Sequence, residues 1–201
     1  MTPDQKPSRV FTEAPQPIIA CEARKDGILR FTPEQKSVLE NEGYTVYILT
    51  GMSVEEMAKM YGPFDSSSDP TGDWHYMLSS EARSRKSEVA IDRDNFPFPD
   101  SGRYDIDAQE RMVNSKIRPP CQGVKVVAIG EAPDYLELRA LGVKWDGPTY
   151  IRTKTKGKQF YIADTQENGI IVGGELGILR SYLGPRRGVY AGPFIVPEGN
   201  K

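Results

Sequence analysis

Hydrophobic and polar positions along this chain switch between two periods, and the elements follow from where they switch. Val124-Lys125-Val126-Val127-Ala128-Ile129 is a nearly unbroken apolar run rich in β-branched residues, the pattern of a strand covered on both faces. Gly130 ends it, and Pro133 falls where a first helical turn tolerates a missing N–H. Tyr135, Leu136, Leu138 and Leu141 then recur at helical spacing, predicting an apolar stripe on one side of a helix. This strand, turn and helix is expected to organise the domain, with the strand near the middle of its sheet.

Upstream, Thr32-Pro33-Glu34-Gln35 opens a helix with a threonine cap, a proline in the first turn and a glutamine placed for a capping box. Gly43 ends that helix, Tyr44 to Leu49 reads as a strand, and Ser53-Val54-Glu55-Glu56 is a second capping box. That second helix is expected to stop at Gly62. Pro17 to Cys21 and Ile28 to Phe31 read as a short hairpin, and Glu88 to Asp92 as a strand. Pro97 and Pro99 keep Asn95 to Arg103 irregular, and Asp105 to Ile117 has the spacing of a helix. After Gly142 the texture turns to strands: Tyr150 to Thr155 and Lys158 to Ala163 around Lys156-Gly157, then Gly169 to Gly174, Ile178 to Leu183 and Val189 to Val196. The fold class is therefore α/β or α+β. It comprises a single domain with a mixed sheet, three to four helices and a β-rich antiparallel C-terminal third.

The 201 residues suffice for one well-packed domain over 18–201, preceded by a proline-rich extended arm over 1–17. With 26 basic and 28 acidic residues the net charge is −2, so no global field directs the chain to nucleic acid. No window reaches the roughly 18 apolar residues of a membrane span, and no signal-peptide core opens the chain. A cytoplasmic location is expected, without membrane association. Cys21 and Cys121, a hundred residues apart, read as reduced thiols, although their redox state is not fixed by spacing.

Three candidate sites follow. Gly130, Glu131 and Asp134 occupy the strand-to-helix turn where open α/β sheets receive phosphates or cofactors. No glycine-rich nucleotide motif accompanies them, and carboxylates in a first helical turn are already accounted for by the helix dipole. Gly130 to Pro133 is similar to the opening motif of the iron–sulfur uracil-DNA glycosylases. That family's next glycine is Asp134 here, and two cysteines fall short of the about four ligands a cluster needs, which excludes the assignment.

His75, the single histidine, would serve as a base if Asp69 or Asp73 oriented it and one of Ser66 to Ser68, or a cysteine brought in by the fold, were the nucleophile. Its plain reading is a loop residue packed between Trp74 and Tyr76. Asp65, Asp69, Asp73, Asp92 and Asp94 match no calcium-loop spacing, so neither metal nor cofactor is expected. The basic hairpin 150–161 sets Arg152, Lys154, Lys156 and Lys158 beside Tyr150, Phe160 and Tyr161, the mixture that binds single-stranded nucleic acid. Tyr150, Arg152 and Lys154 share a strand face, whose plain reading is an edge protected from aggregation by its charges.

The function expected first is a non-enzymatic binding or assembly protein that meets a protein partner or its own copy through its surfaces. A small enzyme acting on a phosphorylated or nucleotide-like ligand, bound at the Gly130 turn and the 62–73 loop in a cleft lined by Glu131, Asp134 or His75, is the first alternative. Nucleic-acid binding through the hairpin is the second, open but not favoured.

Overall fold

In a computed structural model of the chain, the residues described are 26–61, 81–145, 149–156, 169–173, 179–182 and 188–199. They contain four α-helices: α1 (Pro33–Asn41), α2 (Val54–Tyr61), α3 (Ile106–Lys116) and α4 (Ala132–Ala140). The strands of the first half are β1 (Tyr44–Thr50), β2 (Lys86–Asp92) and β3 (Val124–Val127). Those of the second are β4 (Tyr150–Lys156), β5 (Gly169–Gly173), β6 (Leu179–Tyr182), β7 (Val189–Tyr190) and β8 (Phe194–Pro197).

They form two four-stranded sheets. The first, in the order β1-β2-β8-β3, is antiparallel throughout. The second runs β6-β5-β4-β7 and is mixed, because β4 pairs with β7 in parallel. The architecture is α+β, with strands filling the C-terminal part. No described helix is long and apolar enough to cross a membrane.

Both capping boxes form. The Thr32 hydroxyl accepts from the Gln35 N–H at 3.2 Å, and the Gln35 side chain accepts from the Thr32 N–H at 2.9 Å. Ser53 and Glu56 repeat the exchange at 3.1 and 2.7 Å. Each exchange satisfies two N–H groups that a helix start otherwise leaves without acceptors. Gly43 ends α1 at φ +87°, the left-handed conformation that only glycine takes without strain.

The sheet order corrects one expectation. Among the described residues β3 is an edge strand, because the C-terminal strand β8 inserts between it and β2. The run from Val124 is apolar for a different reason: its second half leaves the ladder. Ala128 and Ile129 are buried against Phe98, Val113 and Ala191 beneath α3.

The helix that follows also differs from its pattern. Every residue from Ala132 to Leu138 is buried, where a one-sided stripe was expected, while Leu141 is exposed. α4 is enclosed by α2, β1, β4 and β5, so it has no solvent side over that stretch. Tyr135, Leu136 and Leu138 join Leu49, Val89, Ile91, Phe194 and Ile151 in the largest core cluster. Each fully buried large side chain of this kind stabilises the fold by about 1.5–3 kcal/mol.

Of the expected hairpin at 17–31, Pro17 to Cys21 lie outside the described residues, and Leu29 forms a single parallel bridge to Ser87. The segment Lys158 to Ala163 is likewise outside them. β4 takes β5 as its antiparallel partner.

Candidate functional site

The turn entering α4 is bonded on every side by the chain itself. The Gly130 N–H donates to the Tyr135 hydroxyl at 2.6 Å, and the Gly130 carbonyl accepts from the Lys154 N–H at 2.9 Å. The Glu131 N–H goes to the Asp134 carboxylate at 3.1 Å and the Ala132 N–H to the Thr155 hydroxyl at 2.7 Å. Thr155 in turn donates to Glu131 at 2.6 Å. The N–H groups that would greet an anion at a helix start are thus taken by internal acceptors. A Cβ built on Gly130 would lie 2.8 Å from the Phe194 ring, so this glycine permits a close approach of backbone and aromatic.

Two carboxylates enter the interior on α4. Asp134, 1% exposed, accepts from the Arg85 backbone N–H and from two guanidinium nitrogens at 2.8–3.1 Å. The same guanidinium sits 4.4 Å over the Phe194 ring. Glu137 is fully buried and accepts from the Thr50 N–H at 3.0 Å, the Thr50 hydroxyl at 2.7 Å and the Ser84 hydroxyl. Three neutral donors satisfy it, as burial of a carboxylate requires. Between them lies Tyr135, whose hydroxyl donates to the Gly192 carbonyl at 2.8 Å and whose ionisation burial pushes far above the usual phenol range.

β4 brings the second predicted site against the first. Lys154 is exposed and pairs with Glu110 at 2.5 Å. Arg152, read from the sequence as sharing a surface with Lys154, is buried and donates to Gln109 at 3.0 Å. Gln109 passes the connection on to the carbonyls of Ser101 and Val189. Lys156 ends β4, while Lys158 and His75 lie outside the described residues. Among the described residues no group of three or more acidic, histidine or cysteine side chains is placed to hold a metal.

Two open features were not singled out in the sequence. One is a cleft of about 240 Å³ between the end of β2 and the turn after α4. The other is the outer rim of β1. The Lys86 carbonyl and the Glu88 N–H both bond Leu29, away from β1. Their register partners Thr50 and Ile48 therefore point their own peptide groups away from β2, and so do Val46 and Tyr44. The Thr50 N–H is taken by Glu137, but the outward peptide groups of Tyr44, Val46 and Ile48 meet no partner among the described residues.

The sequence signals for these features are faint. Arg85 sits in a polar stretch that reads as a solvated turn, and Lys144 follows a helix with no motif around it. Comparison with known proteins yields no matching family model, no matching curated protein and no matching solved structure.

Proposed function

We propose that this chain is a non-enzymatic assembly protein that pairs with a second copy of itself along β1. The observation that carries the reading is the outer rim of that strand, whose peptide groups at Tyr44, Val46 and Ile48 meet no partner among the described residues. Tyr44-Thr45-Val46-Tyr47-Ile48-Leu49-Thr50 has no charged residue, proline or bulge, the devices that keep an exposed strand edge from pairing. Ile48 is 40% exposed on it.

A twofold axis through Val46 fits the rim to itself. Val46 would then face Val46 of the second copy, and Tyr44 would face Ile48, with the outward peptide groups of all three closing the ladder. Aromatic against β-branched pairs of this kind contribute about 0.2–1 kcal/mol each. Charges at the two ends agree with that direction. Exposed Glu42 precedes the strand, and exposed Lys86 lies beside its other end, so antiparallel pairing sets opposite signs near each other. Two four-stranded sheets would become one of eight strands. The same reading places the chain in the cytoplasm, where Cys121, a partly buried thiol whose ionisation burial makes harder, stays reduced.

Sedimentation of the full chain tests the proposal. A concentration-dependent dimer is expected, and Ile48→Lys should shift it to monomer while circular dichroism stays unchanged. A wild-type chain that stays monomeric at high concentration, or an Ile48→Lys dimer as tight as wild type, would overturn it.

A further inference from the structure

The cleft at the end of β2 has the makings of a ligand site; it takes the Tyr47 side chain from β1 but none of the rim's outward peptide groups, and it goes beyond the assembly reading. Its lining is largely apolar and aromatic, from Ile91, Val143, Tyr47 and Phe96. Two cations, Arg93 and Lys144, complete the lining. Both are exposed, and neither forms an ion pair with a described carboxylate.

Arg93 is already oriented. Its Nε and Nη2 donate to the Tyr47 hydroxyl at 3.3 and 2.9 Å, which fixes the plane of the guanidinium. The Nη1–Nη2 edge is left for an acceptor, and a planar fork of two N–H groups matches a carboxylate. Tyr47 accepts both bonds with its oxygen, so its own proton is free to donate as well. Trp145 packs edge-on against Phe96 at 5.9 Å, which holds that ring in place. The indole N–H of Trp145 is buried with no acceptor among the described residues.

We infer that this cleft binds a small planar aromatic carboxylate, its ring between Tyr47 and Phe96 and its anionic head on Arg93 and Lys144. The size agrees. A cavity of about 150 Å³ holds benzene, so 240 Å³ takes one ring with its head group. A bare inorganic anion would leave the apolar lining and both rings unused, and an uncharged ring would leave the two cations unused.

Calorimetric titration of the full-length protein with benzoate, and separately with inorganic phosphate, tests the inference. Benzoate should bind in the range of about 0.1–1 mM, as a ligand of so few atoms allows. Arg93→Ala and Lys144→Ala should each weaken it about tenfold, the effect of losing one charge-assisted bond of about 1.4 kcal/mol. Arg93→Lys, which keeps the charge and loses the fork, should not restore wild-type affinity. Both side chains are exposed, so the variants are expected to fold, and an unchanged melting curve checks that they do. No heat with benzoate up to about 10 mM, affinity unchanged within twofold in both alanine variants, or phosphate binding as tightly as benzoate would each overturn the inference. Loss of dimerisation in Ile48→Lys leaves these measurements readable, because the two tests use different residues and different readouts.

Discussion

Arg85 grips Asp134 through three donors, its backbone N–H at 2.8 Å and its Nε and Nη2 at 3.1 and 2.8 Å. The carboxylate is 99% removed from solvent and the guanidinium is stacked on Phe194. One residue thus ties the segment leading into β2 to the start of α4 and to β8, which brings three distant stretches of chain together. The partner that closes the α4 turn is supplied from within the protein.

Asp134→Ala should be among the most damaging single changes. Removing one member of a buried, hydrogen-bonded pair costs about 3–5 kcal/mol, and Arg85, with its side chain 25% exposed, places the effect at the lower end. Arg85→Lys should cost less, because the charge survives and only the fork is lost. Urea midpoints at unchanged m-value would rank the two. Equal midpoints for wild type and Asp134→Ala would show the pair to be energetically idle.

Gly130→Ala tests the close approach directly. The new methyl would stand 2.8 Å from two Phe194 ring atoms, so ring or backbone must move, at about 1–3 kcal/mol. Phe194→Leu removes the obstructing ring edge at a cost of its own. The double variant should therefore be more stable than the sum of the two single losses predicts, by at least about 0.5 kcal/mol. Strict additivity would mean that the ring is not what excludes a side chain at position 130.

Tyr135 links the same turn to the segment before β8, accepting from Gly130 and donating to Gly192. Tyr135→Phe leaves a buried N–H and a buried carbonyl without this partner, at about 1–3 kcal/mol near neutral pH. A phenol whose folded pKa is raised keeps its proton longer in the fold. Its contribution is therefore complete below the unfolded value of about 10 and declines as pH rises beyond it. The stability gap between wild type and Tyr135→Phe should be constant from neutral pH to about 9 and narrow above 10. A gap that widens in alkali would reverse the sign assigned here.

Local chemistry was legible in the sequence where it depends on neighbours along the chain. Thr32 with Gln35, Ser53 with Glu56 and Gly43 at the end of α1 each occupy the place that residue type and spacing imply. What was not legible depends on pairing between distant segments. Nothing local in Val124 to Ile129 tells that β8 will lie between β3 and β2, since strand order is a property of the closing chain. The alternation Tyr150, Arg152, Lys154 was read as one exposed surface. Arg152 is buried because Gln109, 43 residues away, offers it an acceptor inside. The same holds for Glu137, which looks like the polar side of an amphipathic helix until Thr50 and Ser84 arrive as donors. The outer rim of β1 and the cleft beside Arg93 are likewise products of assembly, with residues from separate elements and no shared motif.

The second capping box gives a prediction in acid. Glu56 accepts from the Ser53 backbone N–H at 2.7 Å and pairs with Arg83 at 3.0 Å, and its carboxyl is held below the ordinary glutamate range by the Ser53 N–H first, then the Ser53 hydroxyl and Arg83. A depressed folded pKa means that the unfolded chain takes up the proton first as pH falls. The stabilisation is therefore complete above the unfolded value of about 4.3 and disappears as pH drops through the lower folded value. Glu56→Gln is the informative variant, because glutamine preserves the capping bond and removes only the charge. Wild type should melt higher than Glu56→Gln at neutral pH, and the two curves should converge by about pH 3. Since Glu56 is about half exposed, added salt should also shrink the neutral-pH difference by screening the Arg83 pair. A difference that persists unchanged at low pH would assign the stabilisation to the hydrogen bonds alone and leave the charge no part in starting α2.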